Sequence, residues 1–297
     1  MANLDSLIQS SVELFEINNE KLFFSTVSTK LYEYLQPLFI ISNIVDETEQ
    51  FTNIAKISGK AENLIQLPKL FGIDITKKRL LINEPSKIEL RTGKLLKVKG
   101  GMFELTFSII PYEIVKVVEN FFNIGDCYGM GMINNNKLLG TIVFVLRKGQ
   151  NIEDKINVIE LYGKQATICI ERLKLANSLM QKENQVTVFF ESTPIAMQLY
   201  DSDGNLIKSN MLCQKIFNLT EPDIQNNPNI LKKLYSVDGI QNKIRTNQIV
   251  KCKYNKELND LTQLKNIIKD SINNIDITII PIITNNANSG YLLEFLV

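Results

Sequence analysis

Residues 151–192 constrain this chain more than any other stretch. Ile156, Ile159, Ala166, Ile170 and Leu173 recur at intervals of three, four or seven residues. That is the period of a helix with one buried stripe. No proline interrupts the pattern before Pro194. A second series, Leu175, Leu179, Val186 and Phe189, uses the same spacings and their sums on a rotated face, with Lys182 on its seam. The rotation predicts two successive packing partners. The first half closes an N-terminal domain; the second emerges as a connector that pairs with another copy through Leu175, Leu179, Val186 and Phe189, giving a homodimer. Two helices broken near Asn177 are the alternative.

A chain of 297 residues exceeds the roughly 100–150 of a typical domain, so two domains are expected. Lys and Arg number 33 against 32 Asp and Glu, a balance that points away from nucleic acid and anionic membrane as partners. The apolar runs Leu38–Val45 and Ile275–Ile283 fall short of the about 20 residues that span a bilayer. Cys127, Cys169, Cys213 and Cys252 are scattered without a CxxC pair, which predicts reduced thiols in a cytoplasmic protein rather than disulfides or a zinc site. The chain has no histidine. That removes histidine-based triads, histidine-ligated haem or metal, and a phosphoaccepting histidine.

Along the chain, the patterns predict helices over 3–17, with the stripe Leu4, Leu7, Ile8, Val12 and Phe15, and over 22–35. Leu38–Val45 and Phe51–Ile57 read as a hairpin and Ala61–Leu70 as a helix. Gly72–Gly101 reads as an irregular excursion with a short strand near Lys94–Val98. Phe103–Ile110 reads as a strand and Tyr112–Phe122 as a helix opened by Pro111. Asp126–Ile133 and Lys137–Arg147 flank Asn134-Asn135-Asn136, residues that tolerate the left-handed backbone of a tight turn. Further on, strands Ala196–Tyr200 and Leu206–Lys208 flank Asp201-Ser202-Asp203-Gly204-Asn205. A helix over Asn210–Phe217, helical turns over Asn229–Tyr235 and Ile240–Arg245, and a strand over Gln248–Tyr254 follow. A polar connection, Lys256–Asn274, leads to strands Ile275–Thr284 and Gly290–Val297, for a β-β-α-α-β-β-β order. The expected fold class is α+β: two domains, each a mainly antiparallel sheet with flanking helices, joined by the long helix.

Two stretches resemble sensory modules. Tyr128-Gly-Met-Gly-Met-Ile followed by Asn134-Asn-Asn and Lys137-Leu-Leu-Gly140-Thr-Ile-Val, then Asn151–Asp154 and Leu161–Leu173, resembles the C-terminal half of a GAF domain, whose hairpin precedes a closing helix. Phe190-Glu-Ser-Thr-Pro-Ile-Ala with Asp201-Ser-Asp-Gly-Asn, Asn210 and Phe217 resembles the opening of a PAS domain, and 275–297 is similar to its last strands. The resemblance implies a GAF-like domain at 1–174, the closing and connecting helix at 152–192 and a PAS-like domain at 190–297. It also implies the sensor region of a histidine kinase-type signalling protein, with an output domain after Val297.

On one face of the glycine-bearing strand lie Cys127, Gly129, Gly131 and Ile133; on the other lie Tyr128, Met130 and Met132. The GAF resemblance implies a small-molecule pocket on one face of this sheet, with Tyr128, Met130 and Met132 as its candidate contacts; helix packing over the strand is the plainer alternative. In the PAS-like part, Met197, Leu199, Phe217, Ile279 and Leu293 are candidates to line a cavity, a filled core being the alternative. Asn210 is expected to cap its helix first and to touch ligand second. Asp201, Asp203 and Asn205 are spaced like calcium ligands, but Leu206 and Leu212 stand where such a loop needs glycine and a carboxylate, so a hairpin turn is favoured. No cysteine has the Asn-Cys-Arg setting of covalent flavin photoreceptors, and the sequence names no cofactor. The expected function is a ligand- or partner-sensing module that signals through its connecting helix and is not itself an enzyme. A scaffold with filled cores is the first alternative and a histidine-independent enzyme the second.

Overall fold

The computed structural model describes residues 4–105, 110–217, 240–255, 274–285 and 287–297. The turns expected at Asn229–Tyr235 and nearly all of the connection Lys256–Asn274 lie outside the described residues. The class is α+β with two antiparallel sheets, and the chain divides into compact units at 1–179 and 180–297.

Unit 1 begins with helices α1 (Leu4–Glu13) and α2 (Glu20–Leu35), then the hairpin β1 (Phe39–Val45) and β2 (Phe51–Gly59). There follow α3 (Ala61–Phe71), β3 (Arg79–Leu81), α4 (Glu84–Leu90), β4 (Leu96–Lys97), α5 (Gly101–Leu105) and α6 (Tyr112–Phe122). The long hairpin β5 (Ile124–Asn134) and β6 (Lys137–Arg147) completes a sheet of order β3-β2-β1-β6-β5-β4. Asn135 and Asn136 turn that hairpin with φ of 47° and 63°, the left-handed pair that matches strand twist. Local caps fix the helices: the Asn19 carboxamide accepts from Leu22 N–H at 2.9 Å, and Asn83 does the same for Ser86 N–H at the start of α4.

One face of this sheet is closed by α2 and α7 (Ile156–Ser192) around Phe24, Leu31, Ile142, Phe144, Ile159 and Ile170. The other face packs Phe39, Val143 and Val145 against Leu67, Phe71, Met102, Val118 and Phe122. Two sequence expectations change here. Among the described side chains of α1 and the residue after it, Leu7, Ser10, Ser11 and Leu14 are buried, while Ile8 and Val12 are 57% and 65% exposed. The serines enter because each satisfies its hydroxyl locally, Ser10 on the Leu7 carbonyl at 2.7 Å and Ser11 on that of Ile8 at 2.6 Å. The strand expected from Phe103 is instead helical through Leu105.

α7 continues unbroken past Asn177, and residues 175–189 are all exposed. Unit 2 contains β7 (Ala196–Asp201), β8 (Leu206–Ser209), α8 (Met211–Phe217), α9 (Ile240–Arg245), β9 (Val250–Asn255), β10 (Asn274–Thr284) and β11 (Ala287–Leu296). Its sheet runs β8-β7-β11-β10-β9, every pair antiparallel. The turn between β7 and β8 is held by Asp201, whose carboxylate accepts from the Asn205 backbone and side chain at 2.7 and 2.9 Å. Gly204 supplies the positive φ of 77° that the turn requires.

Candidate functional site

In unit 1 a cavity of about 100 Å³ lies on the sheet face away from α7. Phe39 and Ile41 of β1, Gly129 of β5 and Val143 and Val145 of β6 make its floor; Leu67 and Phe71 of α3, Leu90 of α4 and Met102 of α5 line it from the helices. The segment that reads from sequence as an irregular excursion supplies much of this wall through Ile73, Ile75, Leu80, Leu96 and Val98. Gly131 makes the wall compact: a Cβ there would collide with the Leu90 carbonyl, so α4 can approach β5 this closely only over glycine.

Two polar side chains interrupt the apolar floor. Asn43 and Thr141 face each other across β1 and β6, and Asn43 Nδ2 donates to Thr141 Oγ1 at 2.8 Å. Asn43 is 6% exposed and, among the described residues, its Oδ1 has no hydrogen-bond partner. A buried carbonyl oxygen left in that state costs about 1–3 kcal/mol. The neighbouring Ser42, on the opposite face of β1, donates to the Phe24 carbonyl at 3.0 Å. Among the described residues, charged groups line the cavity only through Lys78 and Glu89, both exposed, and half-buried Glu104. The lining is thus mainly apolar, with one bonded polar pair on its floor.

α7 reaches the cavity wall from behind. The Glu160 carboxylate accepts from Leu95 N–H and from Lys94 Nζ, both at 3.0 Å, next to Leu96 of the lining. Burial pushes its pKa up, but these two bonds outweigh burial and hold it below the ordinary carboxylate value. Burial pushes the Cys127 and Cys213 thiols up to about 12 and Cys252 to about 11, far from the range of a reactive thiolate.

The expected contacts Tyr128, Met130 and Met132 do not line this cavity. They are buried on the other face of β5, in the core beneath α2 and α7. Met130 packs at Gly163 of α7, where a Cβ would strike its methyl group. Strand alternation separates the two sets: the cavity belongs to the Gly129 face, and the methionine face is filled. Asn43 and Thr141 escape a reading by hydrophobic pattern, although an asparagine in the apolar run Phe39–Val45 is the signal that marks them.

Unit 2 separates its candidates too. Phe217, Ile279 and Leu293 are buried together with Tyr200 and Phe295. Met197 and Leu199 project from the face of β7 opposite Ala196 and Tyr200, which belong to that core. Asn210 is wholly buried. Its Oδ1 accepts from Met197 N–H at 3.0 Å and Cys213 N–H at 2.9 Å, and its Nδ2 donates to the Phe190 and Ile195 carbonyls at 3.1 and 2.8 Å. The carboxamide is therefore saturated, capping α8 and tying it to β7 and the end of α7; it has no capacity left for a ligand. The four residues expected at a dimer seam are exposed, Leu175 at 64%, Leu179 at 60%, Val186 at 68% and Phe189 at 70%.

No family model matches the sequence, and no curated protein matches it. Among solved structures, the chain is similar to the DhaR(N)–DhaL complex of E. coli, at 16% identity and a TM-score of 0.42, over 97% of this chain and 90% of that one. It is also similar to the GAF domain of cyanobacteriochrome TePixJ, at 15% identity and 0.41, over 55% and 95% of the two chains. A GAF domain/HD domain protein from Geobacter sulfurreducens is 12% identical with a TM-score of 0.41, over 55% and 98%. Likeness of this size says nothing of ligand, partner or activity. Among the described residues, no helix is long and apolar enough to cross a membrane.

Proposed function

We propose that this chain is a sensory module: unit 1, GAF-like, takes a small molecule into its cavity, and α7 carries the resulting change toward unit 2, which is PAS-like, and to an output domain. The observation that carries this reading is the cavity itself, apolar, walled by the short elements between β2 and α6, and furnished with one incompletely bonded amide. A guest shifts the equilibrium only by binding one arrangement of these walls better than another. Two-dimensional NMR of the full chain with a library of small neutral compounds tests it. Shifts should cluster at Gly129, Thr141 and Val143; a library that moves none of them overturns the reading.

The same proposal pairs α7 with α7 of a second copy. Leu161, Ile168, Leu175, Lys182 and Phe189 recur every seven residues, with Leu179 and Val186 four residues after Leu175 and Lys182. Each of the apolar members is more than half exposed. This is the spacing of a two-helix seam, weakened at Lys182. Leu179→Asp should move the chain toward monomer in light scattering with the far-ultraviolet circular dichroism unchanged; unaltered self-association would remove the seam.

A further inference from the structure

The unpartnered oxygen of Asn43 narrows what the cavity can hold. We infer that its ligand is a small neutral alcohol or phenol whose hydroxyl donates to Asn43 Oδ1 and accepts from Thr141 Oγ1. The inference rests on the cavity reading above and adds the chemistry of the guest.

Three observations converge on it. First, Asn43 is more than nine-tenths buried, lines the cavity and keeps an acceptor unfilled, so the missing group is a donor. Second, Thr141 Oγ1 already accepts from Asn43 Nδ2 at 2.8 Å, and among the described residues its own proton has no acceptor. An alcohol or phenol hydroxyl answers both needs, donating once and accepting once as water does, and adds a carbon body that suits the apolar lining. Third, size and charge exclude larger or anionic guests. The volume of about 100 Å³ is of the order of the roughly 150 Å³ that holds a benzene ring and well below the roughly 300 Å³ where drug-sized pockets begin. Two carboxylates, Glu89 and Glu104, line the cavity against the single cation Lys78, which opposes a phosphate or carboxylate.

The test compares benzyl alcohol, toluene and benzoate on the full chain by isothermal titration and by the NMR signals of Gly129 and Val143. The alcohol should bind about tenfold or more tightly than toluene, as one buried hydrogen-bonded group implies, with benzoate weakest. Asn43→Leu should erase the preference of alcohol over toluene while toluene still binds. Thr141→Val, which keeps the side-chain shape, should reduce the preference in part and serves if Asn43→Leu fails to fold. Equal binding of alcohol and toluene by the natural chain, or an undiminished preference in both variants, overturns the inference and leaves the cavity reading standing. Binding of none of the three overturns both.

Discussion

Among the described residues each unit buries one asparagine, Asn43 on β1 and Asn210 at the start of α8, and the two are bonded in opposite ways. Asn210 in unit 2 makes four hydrogen bonds to four backbone groups. Asn43 in unit 1 makes one, to a side chain, and leaves its carbonyl oxygen bare. The residue type is the same and both are buried, Asn43 at 6% and Asn210 at 0% exposed; the difference is how each amide is bonded. A saturated amide fixes the chain's path, whereas an unpartnered carbonyl oxygen beside a cavity costs stability and, under the proposed function, is where a guest would bond.

Substitutions break or sharpen the contrast. Asn210→Ala should be the most severe, because it strands two buried N–H groups and two carbonyls; a loss of about 3 kcal/mol or more in urea unfolding is expected. A loss under about 1 kcal/mol would mean that the two asparagines do not differ. Asn43→Leu should cost less, about 1–2 kcal/mol, since it removes one orphaned oxygen but strands the buried Thr141 hydroxyl. Its larger effect should appear in ligand binding.

A third carboxyl-or-amide position calibrates the scale at the surface. Burial raises the pKa of Asp46, but Arg79, the Phe51 and Gln50 N–H groups and the Thr48 hydroxyl outweigh it and hold the group at about 2. A folded value below the unfolded value of about 3.9 gives stability that is present above pH 4 and lost as pH falls through 2. Asp46→Asn should therefore lower the melting temperature slightly at pH 7 and not at all near pH 2. An equal difference at both would point to the β1–β2 turn geometry rather than charge.

Much of the framework is legible in the residues. The period of Ile156–Leu173 marks the buried half of α7, and Asn135-Asn136 marks the turn of β5 and β6. The pairing of β7 with β8 follows from the turn Asp201–Asn205. The cavity is less legible, for physical reasons. Its wall comes from elements only two to eleven residues long, whose formation is decided by packing rather than by periodicity. Its floor is the glycine face of β5, and a glycine announces room without saying whether backbone or guest will use it: Gly131 admits the Leu90 carbonyl, Gly129 borders the cavity. Ser10 and Ser11 show the same limit in α1, where hydroxyls bonded to their own helix displace Ile8 and Val12 from the buried side.

Glu160 gives α7 a mechanical reach that its length alone does not. Its carboxylate hooks the Lys94–Leu95 backbone and ammonium, one residue from the cavity wall at Leu96. α7 is thus tied through a single carboxylate to the strand that lines the cavity, and under the proposed function a guest that displaced Leu96 would pull on that tie.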